Sequence, residues 1–248
     1  MKNTKVYLMS TENVKDPRTF SSWKEFLSKE RWEKTVRPLK EEDRKTELAA
    51  WFLLYQALRE WGISEEKINA DGAYYYGEHG KPMRRNEEVC FNLSHSGKYV
   101  LCAVSEMEIG CDIEKIKEVK WKLAKRFFSE KEYDFLVRLG RQEKLMKQGE
   151  TVKSGKTDKQ EKVGKQQNIN RQKEKGENAY TVEEAFTRFW VLRESYVKTT
   201  GEGLGAALTG LDFSDILGQK NSKGKKNGEF LEKTFFEMEY DGYRIAIC

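Results

Sequence analysis

Asp112 and Glu114 stand two residues apart in the run Ile109-Gly110-Cys111-Asp112-Ile113-Glu114. On a strand, residues i and i+2 share a face, which sets the two carboxylates side by side and turns Cys111 and Ile113 to the core. Neighbouring carboxylates repel unless a cation or protons intervene. A hard divalent ion with oxygen ligands, Mg²⁺ above all, meets that need. A solvated edge on which Lys115 neutralises Glu114 fits the spacing too. A second group, Trp190, Glu194 and Lys198, is spaced i, i+4, i+8 and forms one helical stripe. Glu194 and Lys198 offer a third metal ligand and a phosphate binder, although an ordinary helix pair worth about 0.2–0.5 kcal/mol has the same spacing. The third group is Ser94-His95-Ser96, expected in a turn at a strand end that exposes the His95 ring and both hydroxyls. It suits a nucleophilic pair or, with backbone N–H groups, a phosphate contact. Lys81 beside Pro82 holds a basic group on a constrained turn.

The elements that carry these groups follow from pattern. Lys5–Met9 reads as a first strand, and Ser22 with Glu25 as a capping box that opens a helix. Thr46–Trp61 is apolar almost all round, which predicts a buried central helix. Tyr74–Tyr76, Val89–Leu93, Tyr99–Val104 and Ile109–Ile113 read as short strands, with residues 94–98 as the turn between the second and third. Ser129 and Glu132 cap a helix to about Leu139, and Thr181 and Glu184 cap one that Gly201 ends. Lys233–Glu239 and Tyr243–Cys248 close the chain as strands after a polar loop, Gly218–Glu229. The order points to an α+β fold with antiparallel sheets.

The chain has 248 residues, a formal charge of +5 and 35% charged residues. Segment 141–178 carries 11 Lys/Arg against 6 Asp/Glu, while the remainder balances 35 against 35. All the basic excess sits in that segment, so the overall charge is poor support for a nucleic-acid binder. Only five of its 38 residues are apolar (Leu145, Met146, Val152, Val163 and Ile169), too few to offset ordering entropy. It reads as a disordered insert, or as a basic arm for an acidic partner. The four cysteines form no Cys-x-x-Cys pair, and neither a secretory leader nor a membrane span is legible. The expected compartment is the cytoplasm.

Taken together and in order, Gly80-Lys81-Pro82, Phe91-Asn92-Leu93-Ser94-His95-Ser96, Ile109–Glu114, Phe127-Phe128-Ser129-Glu130-Lys131-Glu132 and Trp190-x-x-Arg193-Glu194-Ser195-x-x-Lys198 resemble the 4′-phosphopantetheinyl transferases of the surfactin-synthetase-activating type. The resemblance runs from about Phe20 to Gly205 and is interrupted by the insert. It implies transfer of the phosphopantetheine arm of coenzyme A to a serine of an acyl or peptidyl carrier protein, with Mg²⁺, releasing adenosine 3′,5′-bisphosphate. It implies a pseudo-dimer of two similar α/β halves, 1–103 and 104–248, with the site between them. Asp112, Glu114 and Glu194 match the metal-binding carboxylates. Glu194 is then the general base, and Lys198 stabilises the pyrophosphate. Ser94, His95 and Lys81 hold coenzyme A phosphates, and Arg31 and Lys34 fall where basic residues meet the 3′-phosphate. A monomer follows from the built-in repeat, with no nucleic-acid or membrane partner. The chain departs from the family pattern with Arg193 where Lys is usual, and with Thr46 and Glu47 where an Arg-Thr pair is usual. Two other readings use the same residues: a metal-dependent phosphodiesterase or nuclease, and a binding protein that recruits an acidic partner through the insert.

Overall fold

The computed structural model describes residues 3–85, 89–154, 180–203, 205, 208–218 and 224–248. The chain opens with strand β1 (Thr4–Ser10), followed by helices α1 (Lys29–Val36), α2 (Glu41–Glu60) and α3 (Glu65–Asn69). A small hairpin, β2 (Tyr74–Tyr76) and β3 (Pro82–Arg84), leads to β4 (Cys90–Ser96) and β5 (Tyr99–Ser105). The first main sheet has the order β1–β5–β4, antiparallel throughout. Then come β6 (Cys111–Lys115), α4 (Trp121–Phe127), α5 (Glu130–Ser154) and α6 (Val182–Thr200). A minor sheet of two-residue strands, β7 (Leu211–Asp212), β8 (Lys225–Lys226) and β9 (Glu229–Phe230), precedes β10 (Phe236–Tyr240) and β11 (Tyr243–Ile247). The second main sheet is β10–β11–β6, again antiparallel. In each main sheet the last strand lies between the first strand and its own hairpin partner, and a long helix intervenes in sequence after the first strand.

Three apolar clusters fix the layers. Leu48, Trp51, Leu54 and Leu58 of α2 pack on Val100, Cys102 and Val104 of β5. Leu101 and Ala103, on the other face of β5, meet Cys111 and Ile113 of β6 and Ile245 and Ile247 of β11. Phe189, Leu192 and Val197 of α6 pack with Leu136, Phe213 and Ala246. The layers run helix, sheet, sheet, helix. The mixed α and β content agrees with the expected class, and Cys111 and Ile113 are buried as the alternation requires.

Several local expectations need correction. Ser22–Phe26 forms only a short 3-10 turn, held by Trp23 and Phe26 against Phe52 at 4.4 and 5.5 Å between ring centroids. The helix starts at Lys29, where Ser28 Oγ accepts from Arg31 N. Residues 94–96 belong to β4, so the Ser94 and Ser96 hydroxyls are buried and only His95 is exposed. The helix expected to end near Leu139 continues to Ser154, so the first part of the basic segment is helical. Its residues 141–146 are good helix formers, and Glu143 ties it to α6 by accepting from Val182 N at 2.8 Å. Residues 155–178 of the expected insert lie outside the described residues. The loop expected at 218–229 contains β8 and the start of β9. The boundary expected between residues 103 and 104 falls within β5.

Candidate active site

The two main sheets meet along a seam between β4 and β6. Cys111 N donates to Asn92 Oδ1 at 2.9 Å, Ile113 N to Ser94 Oγ at 3.4 Å and Lys115 N to Ser96 Oγ at 3.2 Å. The constant offset sets the strands running the same way, with short polar side chains of β4 satisfying an edge that no strand pairs among the described residues. The same hydroxyls orient the carboxylates: Ser94 Oγ donates to Asp112 Oδ1 at 2.8 Å and Ser96 Oγ to Glu114 Oε2 at 2.9 Å.

Helix α6 lies against this strand because Gly110 has no side chain. A Cβ there would fall 2.1 Å from the Ser195 carbonyl oxygen and 2.4 Å from Thr199 N. That approach brings Lys198 Nζ to 2.7 Å from Asp112 Oδ1 and 3.0 Å from Ser94 Oγ. Burial works against the Lys198 ammonium, but Asp112, Cys111 and Glu194 together outweigh it, so its pKa stands above the usual lysine value. Burial pushes the Glu194 carboxyl up to about 7; Asp112 and Glu114 push the same way and Lys198 opposes them. Asp112 Oδ2 is buried with no hydrogen-bond partner. The sequence-derived set Asp112, Glu114, Glu194, Lys198 and Ser94 thus shares one neighbourhood.

No three His, Cys, Asp or Glu side chains among the described residues are grouped to hold an ion as they stand. The donor chemistry nonetheless suits one. Asp112 presents an unengaged buried oxygen, and a carboxyl whose pKa is raised by burial and by two neighbouring carboxylates would ionise fully beside a cation.

The remaining candidates sit elsewhere. Lys81 Nζ donates to Glu108 Oε2 at 3.1 Å and to the Ile109 carbonyl at 3.3 Å. Arg31 is buried over the Trp51 ring, 3.7 Å from its centroid, and donates to Tyr76 Oη at 2.5 Å. Lys34 pairs with Glu30 at 2.7 Å. His95 occupies the opposite face of β4 from Ser94, by strand alternation. Thr46 adjoins Glu47, whose Oε1 accepts from Trp51 Nε1 at 2.8 Å. Arg193 points away from the carboxylates. It is wholly buried, contacts Glu132 Oε2, and donates to the carbonyls of Phe127, Phe189 and Leu211. Five fixed donors explain why arginine serves there. Sequence reasoning missed Ser96 as a ligand of Glu114; its i+2 relation to Ser94 on a strand was the available signal.

A family profile described as the 4′-phosphopantetheinyl transferase superfamily matches residues 161–248. The chain is 27% identical over 227 residues to 4′-phosphopantetheinyl transferase Sfp of Bacillus subtilis strain 168, covering 90% of this chain and 82% of that protein. It is 26% identical over 238 residues to 4′-phosphopantetheinyl transferase gsp of Aneurinibacillus migulanus, covering 95% and 81%. To 4′-phosphopantetheinyl transferase ffp of Bacillus subtilis it is 30% identical over 228 residues, covering 90% and 82%.

Proposed function

The chain belongs to the 4′-phosphopantetheinyl transferase family, and from that premise we propose a mechanism in which Asp112, Glu114 and Glu194 hold Mg²⁺ and Glu194 and Lys198 serve the chemistry. The activity is transfer of 4′-phosphopantetheine from coenzyme A to a carrier-protein serine. The serine oxygen forms a bond to the phosphorus that bears pantetheine. The bond from that phosphorus to the bridging oxygen breaks, and adenosine 3′,5′-bisphosphate leaves with the electron pair.

Held by Asp112, Glu114 and Glu194, Mg²⁺ would supply positive charge that offsets the charge developing on the leaving group. Glu194, ionised, accepts the serine proton as general base. Lys198, fixed by Asp112 and Ser94, sets a positive charge beside the pyrophosphate. Ser94, His95, Lys81, Arg31 and Lys34 supply the coenzyme A phosphate contacts. The observation that carries this assignment is the buried Glu194 carboxyl, unengaged by hydrogen bonds among the described residues and flanked by Asp112, Glu114 and Lys198.

The two halves are read as repeats of one unit, 1–103 and 104–248, with the junction inside β5. The matching strand order of the two main sheets supports this. A monomer acting in the cytoplasm on an acyl or peptidyl carrier fits that repeat, and no helix among the described residues is long and apolar enough to cross a membrane. The transferase relatives favour this reading over a phosphodiesterase or nuclease.

The test is intact mass spectrometry of an apo carrier protein incubated with this protein, coenzyme A and MgCl₂. A gain of one phosphopantetheine is expected, and it should vanish with EDTA and with Glu114→Ala. A gain that survives both controls would overturn the metal assignment. No gain on several unrelated apo carriers would overturn the activity.

A further inference from the structure

The seam between β4 and β6 has no backbone ladder among the described residues, so side chains set its spacing. At its Asn92 end the approach of α6 to Gly110 closes it. At its Ser96 end the closing contact comes from β11. Tyr243 stands opposite Lys115 in the β6–β11 register, and Lys115 N donates to Ser96 Oγ. Tyr243 is buried and reaches the two-residue turn that follows Ser96. Its Oη accepts from Lys98 N at 3.3 Å. It also lies against Gly97, whose φ of +53° suits glycine; a Cβ there would overlap Tyr243 Oη and fall 3.3 Å from Cζ. The turn between β10 and β11 braces the same place. Tyr99 Oη donates to Asp241 Oδ2 at 2.9 Å, Lys98 Nζ pairs with that oxygen at 2.9 Å, and the Tyr99 and Tyr243 rings meet edge to face at 5.0 Å. Ser96 is in turn the hydroxyl that holds Glu114. It donates to Glu114 Oε2 at 2.9 Å, whereas the ion-pair partner Lys117 stands 3.7 Å away and exposed.

We infer that Tyr243 is a positioning residue for Glu114: packed on Gly97, it fixes the turn after Ser96 and so the hydroxyl that aims the carboxylate. This rests on the reading of Glu114 as a ligand of Mg²⁺. By strand alternation Tyr243 lies on the opposite face of the sheet from Glu114, so it acts through Ser96 and not by touching the ion or the substrate. Groups that orient a metal's ligands commonly set its affinity by about 10- to 100-fold.

The experiment compares wild-type protein with Gly97→Ala, Tyr243→Phe, the double variant and the control Gly242→Ala. Gly242 has φ +75° and nothing within 4 Å of a Cβ, so alanine there carries the same backbone strain without meeting Tyr243. Mg²⁺ is titrated calorimetrically into each protein with coenzyme A and no carrier, and KM for coenzyme A is measured at saturating Mg²⁺. Gly97→Ala should weaken Mg²⁺ binding about 10-fold or more. Tyr243→Phe removes the acceptor for Lys98 N and should weaken it about 2- to 10-fold. KM for coenzyme A should be little changed. The double variant should recover part of the Gly97→Ala loss, because the oxygen that the new methyl meets is gone. Gly242→Ala should lower Tm and leave Mg²⁺ binding as in wild type. Equal weakening in Gly97→Ala and Gly242→Ala would overturn the inference by reducing it to backbone strain. If Gly97→Ala does not fold, Tyr243→Phe decides, and unchanged Mg²⁺ binding in it overturns the inference. Binding that Glu114→Ala weakens while Gly97→Ala and Tyr243→Phe do not would sink the positioning role alone. Binding that Glu114→Ala leaves intact would sink the metal reading beneath it.

Discussion

Helix α6 carries two charge clusters on opposite sides, at adjacent residues. On one side Arg193 and Glu132 are both wholly buried, and every polar atom of the two side chains has a hydrogen-bond partner. Arg193 reaches three carbonyls besides Glu132, and Glu132 also accepts from Ser129 N and Phe213 N. On the other side Glu194 has no hydrogen bond among the described residues, and Asp112 keeps a buried oxygen unpaired. The first cluster is complete and ties α5, α6 and the segment after α6 together. The second is incomplete: burial and the neighbouring carboxylates raise the Glu194 pKa, and acceptors are left for a ligand. Burial alone does not separate structural from functional charge; the degree of satisfaction does.

The sharpest way to break this contrast is to truncate the saturated side. Arg193→Met leaves Glu132 buried and unpaired and should cost about 3–5 kcal/mol of stability, read from the urea midpoint. A change under about 1 kcal/mol, the level of a surface pair, would show that saturation is not what holds this region. On the other side, Glu194→Gln should lower kcat by about 10²- to 10⁴-fold while leaving the urea midpoint unchanged or raised. Because the folded pKa of about 7 lies above the ordinary 4.5, the folded state holds the Glu194 proton more tightly. In EDTA, its contribution to stability is complete below about pH 4.5 and is lost as pH rises through about 7. That slope should flatten in Glu194→Gln, as followed by Tm against pH. At the bottom of the scale, Glu30→Ala removes an exposed helix pair with Lys34 and should cost no more than about 0.5 kcal/mol.

Much of the architecture was legible in local pattern. The capping boxes at Ser129–Glu132 and Thr181–Glu184 form as expected, because each is a reciprocal contact within one turn. The apolar surround of Thr46–Trp61 identified a buried helix. The short box at Ser22 misled because aromatic packing on Phe52 decides that turn. Ser94 reads in the sequence as a phosphate contact, but its position beside Asp112 depends on the β4–β6 seam. Arg84 gave no signal, since an arginine next to a turn is unremarkable until its surroundings are known.

The sequence by itself determined which residues share a strand face or a helix stripe, and so which carboxylates and cations were available. Those relations follow from the 2-residue and 3.6-residue periods of the backbone. The tertiary structure alone decided that Gly110 lets α6 close on β6, that every polar atom of Arg193 is partnered while Glu194 is not, and that two nitrogens of the buried Arg84 lack an acceptor. Each depends on contacts between segments far apart in the chain, where burial and hydrogen-bond satisfaction are set by neighbours that no local period encodes.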